Sequence, residues 1–143
     1  VADAARGMFD LRAWSGADLA ELSEAFEQIV ATPWVPGVAL QAIPLGSGNP
    51  AMERTPGTIR LEEHAVRIAG ELGFPLRAAR TGGGSDVSWA CHARTPGLDG
   101  LGPIGGLDHG PDEYILRSSI VPRTALLAKL IQAIAADEEL TDD

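Results

Sequence analysis

Residues 82–114 read GGGSDVSWACHARTPGLDGLGPIGGLDHGPDEY, and the interpretation of the whole sequence starts from this stretch. Three glycines lead into a serine and an aspartate, and a histidine follows later between acidic residues. Glycine lets backbone N–H groups approach a ligand closely, and a neighbouring carboxylate fixes the orientation and tautomer of a histidine ring. Because such residues contribute little to packing, we interpret the stretch as the functional site.

The glycine run directly precedes a short predicted helix over residues 86–94. A helix N-terminus presents unpaired N–H groups and about half a positive charge, which favours bound anions. Gly83, Gly84 and Ser85 are therefore candidates for holding a substrate carboxylate. The alternative is an ordinary strand-to-helix turn capped by Ser85 or Asp86, and the local sequence leaves both interpretations open.

His109 is the strongest candidate for a metal ligand or a proton-transfer group. It lies in a loop rich in glycine and proline beside Asp108, Asp112 and Glu113, so that packing in a core does not explain it. A loop histidine that is simply exposed to solvent is the alternative interpretation.

Several blocks of the sequence resemble the zinc-dependent exopeptidases and deacylases related to glutamate carboxypeptidase, acetylornithine deacetylase, succinyl-diaminopimelate desuccinylase and aminoacylase. The blocks follow the order and similar gaps of that family. They are FDLR at residues 9–12, GGGSD at 82–86, LDGLGP at 98–103, HGPDEY at 109–114 and SIVPR at 119–123. The resemblance spans nearly the whole chain but only the last part of the family's pattern.

The resemblance implies a role for individual residues. It gives His109 the role of a ligand to one of two bridged zinc ions. It also implies that Arg12 grips the carboxylate of the substrate, because a planar guanidinium binds a carboxylate through two hydrogen bonds. From the residues alone, Arg12 would instead form a surface ion pair with Asp10 that contributes little. The implied reaction is cleavage of an amide bond next to a free carboxylate in a small peptide or acyl amino acid.

The residues that would complete such a site are missing from the sequence. A di-zinc hydrolase needs several histidine and carboxylate ligands and a catalytic carboxylate, and the family's motifs for them lie upstream of the matched region. We therefore expect the C-terminal portion of an enzyme, inactive alone, with no catalytic residue and no zinc held by this chain. A non-catalytic α/β module for self-association or small-anion binding is the alternative.

The hydrophobic pattern predicts an α/β chain. Residues 7–14 alternate, residues 19–30 carry a helical apolar stripe, and residues 38–45 are apolar, which together predict a βαβ unit with parallel strands. The resemblance assigns residues 1–46 to the second half of a two-layer lid or dimerisation domain. It makes residues 47–57 a linker and residues 58–143 the C-terminal segment of a zinc-exopeptidase-like catalytic domain.

Further elements are predicted within the second part. Helical periodicity covers residues 59–72, and strands are predicted at 74–81 and 97–101. A last helix begins at Ser118 or Ser119 and is predicted to bury four apolar side chains: Leu127, Leu130, Ile131 and Ile134. His64 and His92 lie on helices, and we assign them to no site.

Charge and composition limit the possible partners and compartments. The net charge is −9, which argues against nucleic acid or an anionic membrane as a partner. A single cysteine, Cys91, excludes an internal disulfide and fits a reducing compartment, so we expect a cytoplasmic protein. The acidic tail, residues 137–143, is predicted to be frayed and solvated. Uncovered apolar strands at residues 74–101 lead us to expect a homo-oligomer.

Overall fold

The chain has a mixed α/β structure, which confirms the predicted class. The computed structural model describes residues 3–46, 48–137 and 140. Its elements are four helices, α1 (Gly16–Ala31), α2 (Pro56–Glu71), α3 (Val87–His92) and α4 (Arg117–Ala135), and two strands, β1 (Gly105–Gly106) and β2 (Tyr114–Ile115). The strands pair antiparallel, with Gly105 opposite Ile115. Among the described residues, no helix combines the length and the hydrophobicity that crossing a membrane requires.

The core lies between α2 and α4. Five buried side chains form it, namely Ala65, Ile68, Ala69, Leu126 and Leu130. Small alanines on α2 let α4 approach closely, and partly buried leucines from the loops close the sides, including Leu76, Leu98 and Leu101. The segments before α2 lie outside this core, so the second part of the chain carries the packing.

The buried face of α4 differs from the predicted face. Leu126 is 0% exposed, whereas Leu127, predicted to be buried, is 43% exposed. Leu130 is buried as predicted, but Ile131 is exposed. The buried face of α4 begins at Ser119, which is polar. A prediction that considers only apolar residues therefore assigns the wrong residues to this face.

The strands predicted on either side of α1 are not formed. The helix itself is present, and the hydroxyl of Ser15 accepts a hydrogen bond from the N–H of Asp18, as the sequence SGAD at residues 15–18, typical of a capping box, indicates. Residues 7–14 and 38–45 have no strand structure. A strand requires a neighbour for its N–H and C=O groups, and neither segment has a strand partner among the described residues. Residues 74–81 and 97–101 are also loops rather than strands.

The predicted linker contacts both parts of the chain. The side chain of Glu53 accepts a hydrogen bond from the N–H of Gly16 at 2.9 Å. On the other side, Asn49 Oδ1 accepts from Trp89 Nε1 at 3.0 Å. The division of the chain into residues 1–46, 47–57 and 58–143 stays a prediction.

Candidate functional site

An open cleft brings the glycine run beside the N-terminal segment. It has a volume of about 1180 Å³ and opens to solvent. Most of the lining comes from four stretches of chain, at residues 10–14, 48–54, 76–85 and 98–101. The cleft therefore collects residues that are far apart in the sequence, from Asp10 to Arg123, among them the predicted substrate-binding residues Arg12, Gly83, Gly84 and Ser85.

Arg12 lies against the glycine run. Its Nη1 donates a hydrogen bond to the carbonyl oxygen of Gly82 at 2.6 Å. Its Nε and Nη2 donate to Asp10 Oδ2 at 2.9 and 2.6 Å. The hydrogen bond from Arg12 lowers the pKa of Asp10, and the same bond raises the pKa of Arg12. Both side chains are exposed, so solvent screens the pair and we attribute little stability to it.

A second contact joins the same two segments. The guanidinium carbon of Arg80 lies 5.5 Å from the centroid of the Trp14 ring, in cation–π geometry. Residue 12 thus contacts residue 82, while residue 14 contacts residue 80, which is an antiparallel order. Arg12 and Arg80 consequently flank one short piece of backbone inside the cleft.

The glycine run is held at its third position. A Cβ atom on Gly84 would lie 2.8 Å from Asn49 Nδ2, whereas the space around Gly82 is open. The amide of Asn49 is itself fixed by Trp89. The backbone at Gly84 therefore approaches the linker so closely that a side chain there would displace Asn49.

Ser85 takes part in the turn that starts α3. Its hydroxyl accepts a hydrogen bond from the N–H of Val87 at 3.3 Å, and Asp86 makes no capping hydrogen bond. This hydrogen bond supports the interpretation of residues 82–86 as a capped turn. The helix that follows, α3, has only six residues. Anion binding by Gly83, Gly84 and Ser85 stays a prediction.

His109 lies at the tip of the hairpin formed by β1 and β2. Its backbone adopts φ +66°, and its N–H points to Glu113 Oε2 at 3.4 Å. Two hydrogen-bonded turns shape the loop, from Gly110 N–H to Leu107 O and from Glu113 N–H to Gly110 O. The imidazole is exposed and is not part of the cleft lining. The structure therefore joins Arg12 to the glycine run but leaves His109 apart from them.

The glycines before His109 are required by the hairpin. A Cβ atom on Gly105 would overlap the carbonyl oxygen of Tyr114, and one on Gly106 would lie 3.0 Å from the Tyr114 hydroxyl. The close strand pairing explains these glycines and gives the loop a defined base.

The residues present do not by themselves fit a metal ion. Within residues 3–46, 48–137 and 140, no group of three or more His, Cys, Asp or Glu side chains could hold one. His109 offers one exposed imidazole, whereas a catalytic zinc normally takes about three protein ligands. A metal centre that uses His109 would need ligands from elsewhere.

Two residues on α4, Ser119 and Arg123, fix the backbone that leads into the hairpin and were not predicted as site residues. Arg123 donates from Nε to the carbonyl oxygen of Gly102 at 2.8 Å and from Nη2 to that of Gly100. The hydroxyl of Ser119 accepts from the N–H of Ile104 at 2.9 Å. The SIVPR block at residues 119–123, which contains both residues, was the signal in the sequence that could have identified them. The backbone N–H and C=O groups of a glycine-rich loop need hydrogen-bond partners, and this helix provides them.

A buried ion cluster joins α2 to the end of α4. The side chain of Asp137 is 6% exposed, and Arg60 donates to its two oxygens at 2.7 and 2.8 Å. His64 Nε2 lies 2.6 Å from Asp137 Oδ2. The prediction of a solvated tail is therefore wrong for Asp137, and residues 138, 139 and 141–143 lie outside the described residues. His64 belongs to this structural cluster.

Comparison with known proteins identifies the family. The model of peptidase family M20/M25/M40 matches residues 17–133. The chain belongs to this family. No curated protein and no solved structure gives a significant match.

The family match supports a hydrolase whose relatives are generally metal-dependent. In this M20-family chain, the matched region contains the glycine run, the hairpin with His109, and Arg123. Arg12 precedes the matched region, so its assignment rests on the FDLR block and on its contact with Gly82.

Proposed function

We propose that this M20-family chain is part of a di-zinc metallohydrolase that cleaves an amide bond next to a free carboxylate. Carboxypeptidases and N-acyl-amino-acid deacylases carry out reactions of this type. One observation supports the proposal most directly. Arg12 and the glycine run, assigned to the substrate carboxylate from distant blocks of sequence, meet in one cleft, where Arg12 Nη1 is bonded to the carbonyl of Gly82.

The charges of the cleft suit a small anionic substrate. Five of the eleven Lys and Arg residues of the chain line it, namely Arg12, Arg54, Arg77, Arg80 and Arg123. Four acidic side chains share the lining, namely Asp10, Glu53, Glu62 and Asp99. In a chain of net charge −9, a lining with one more basic than acidic side chain is a local exception, and it repels a small anion less than an acidic surface does.

Arg12 retains donors for a substrate. A guanidinium has five N–H donors, and three of those of Arg12 are used on Asp10 and Gly82. The remaining two lie one on each terminal nitrogen. With these donors and the backbone N–H groups of Gly83 and Gly84, the chain would hold a carboxylate and exclude substrates that lack one.

His109 would supply one ligand to the metal site of the complete enzyme, where we propose two zinc ions. Its position on the defined hairpin supports this assignment, because a metal ligand needs a fixed base. The other ligands and the catalytic carboxylate would come from the upstream part of the same enzyme. We propose that the 143-residue chain alone is inactive and retains no zinc, and that the complete enzyme is a cytoplasmic homo-oligomer.

The test uses the full open reading frame that encodes this chain. We expect its product to release amino acids from N-acyl amino acids, to lose that activity with a chelator and to regain it with zinc. His109→Ala should lower kcat/KM by about a hundredfold or more, because second-shell changes alone cost metal sites up to that factor. His92→Ala is the matched control, since His92 is exposed on α3, and it should remain active. Full activity in His109→Ala would contradict the assignment.

A non-catalytic module is the second candidate. The exposed apolar side chains on the segments around α1, among them Phe9, Leu40 and Ile43, favour it, since apolar surface of this extent marks association sites. An open reading frame that starts immediately before Val1 would support this function, and an upstream extension in frame would support the enzyme.

A further inference from the structure

We propose that Arg80 is a second guanidinium of the carboxylate site and binds the same substrate carboxylate as Arg12. The inference rests on the proposed function, because it assigns a further specificity-determining residue to that cleft. Four observations carry it: the neutralisation of Arg12, the free hydrogen-bonding edge of Arg80, its fixation by Trp14 and the antiparallel contact of the two segments.

The charge of Arg12 is already balanced by an acid. Asp10 Oδ2 accepts from two of its nitrogens, at 2.9 and 2.6 Å. A substrate carboxylate that approaches Arg12 therefore meets a neighbouring negative charge, and this like-charge contact opposes binding. Arg12 provides hydrogen-bond donors that orient the carboxylate, but a second cation is needed to give the site a net positive charge.

Arg80 meets that requirement. In the part of the chain that the structure describes, Arg80 has no hydrogen bond or ion pair, and its contact is with the face of the Trp14 ring. Stacking occupies the flat face of a guanidinium and leaves its in-plane N–H groups available. Arg80 therefore offers up to five free donors on a side chain that the ring holds in place.

The placement lets one anion touch both arginines. Arg80 lies two residues before Gly82, whose carbonyl Arg12 contacts, and both arginines line the cleft. Two residues of extended chain span about 7 Å, a separation that two long arginine side chains can bridge when both bind one carboxylate.

The chain also contains a matched comparison residue. Arg77 lines the same cleft and comes from the same loop, but within the described residues no aromatic ring stacks on it. Removing the charge of Arg77 tests the general electrostatic field of the cleft. Removing the charge of Arg80 tests the field and the specific contact together.

The experiment is an NMR titration of the ¹⁵N-labelled 143-residue chain with N-acetylglycine. N-acetylglycinamide, which lacks the carboxylate, is the uncharged control ligand. The signals to follow are the indole N–H of Trp14, assigned with Trp14→Phe, and the amides of Gly83 and Gly84. We expect saturable shifts with the acid and none with the amide.

Two variants decide the proposal. Arg80→Gln should raise the Kd about tenfold or more, because it removes a charge-assisted hydrogen bond to the carboxylate, while Arg77→Gln should change it less than about twofold. Circular dichroism should show that both variants keep the wild-type helix content. An unchanged Kd in Arg80→Gln, an equal loss in both variants, or no carboxylate-dependent shift in the wild-type chain would each overturn the proposal.

This titration can fail independently of the proposed function. It measures equilibrium binding without hydrolysis. An active full-length enzyme whose Arg80→Gln variant binds normally would overturn only the role of Arg80. An inactive full-length product whose carboxylate binding depends on Arg80 would overturn only the hydrolase.

Discussion

Leu126→Ala should destabilise the chain far more than Leu127→Ala, although the two residues are adjacent on α4. Leu126 is 0% exposed between α2 and α4, whereas Leu127 is 43% exposed. Truncating a buried leucine removes its transfer free energy and leaves a cavity, at a cost of about 2–5 kcal/mol. The neighbours of Leu126 include two small alanines, Ala65 and Ala69, which cannot extend into the space. We therefore expect a value near the middle of that range, about 3 kcal/mol.

The control variant removes the same atoms from a half-exposed position. Full burial of a leucine is worth about 1.5–3 kcal/mol, so Leu127→Ala should cost about 1 kcal/mol or less. Urea unfolding followed by circular dichroism at 222 nm gives both free energies. With a slope of about 2 kcal/mol per molar urea, the midpoint of Leu126→Ala should fall by about 1.5 M. An equal or larger loss in Leu127→Ala would show that the buried face is the one predicted from apolar residues, and would refute the packing described here.

The remaining predictions concern the ion cluster and the hairpin. Asp137→Asn should cost about 3 kcal/mol, the low end for breaking a buried pair, because Arg60 is partly exposed. Glu71→Gln at an exposed i,i+4 pair should change the unfolding free energy by less than about 0.5 kcal/mol. Equal effects in the two variants would contradict the structural role of Asp137. Gly105→Ala should disrupt the pairing of β1 with β2, seen as faster hydrogen exchange at the Leu116 amide bonded to Ile104, whereas Gly102→Ala has open space and should leave that exchange rate unchanged.

The sequence predicted elements whose signals are local. Ser15 caps α1 through the N–H of Asp18, and the last helix, predicted from residue 118 or 119, begins at Arg117. Capping residues and helical periodicity act within one or two turns, so the sequence itself contains the information. α2 begins at Pro56, before the predicted start at residue 59 and within the stretch predicted as a linker, because Thr55 caps it and proline is accepted in the first turn.

Strands could not be predicted in the same way because pairing is not local. Alternation at residues 7–14 indicates which side chains share a face, but a strand forms only with a neighbour. The pairs that do form, between residues 105–106 and 114–115, lie in a sequence of glycines and turn residues with no alternation. Their cause is the close approach at Gly105, which becomes visible only in three dimensions.

The FDLR and GGGSD blocks indicated Arg12 and the glycine run as candidates, and the structure brings Arg12 into contact with Gly82. The role of these residues in binding a substrate stays a prediction. Arg80 was not predicted as a site residue, because an arginine in an irregular loop belongs to no recognisable sequence pattern. Its interest comes from the ring of Trp14, sixty-six positions away in the sequence.

One face of α4 contributes both to the core and to the position of the hairpin that carries His109. Ser119 and Arg123 hold the backbone that enters the hairpin, and Leu126 and Leu130 form the core further along the same stripe. If α4 rotates to fill a cavity left by truncating Leu126, Ser119 and Arg123 therefore move as well. Damage to the core should therefore reach the hairpin that carries His109 through this helix. Losses of activity from core substitutions in the complete enzyme thus need a stability measurement beside them before any residue is assigned to catalysis.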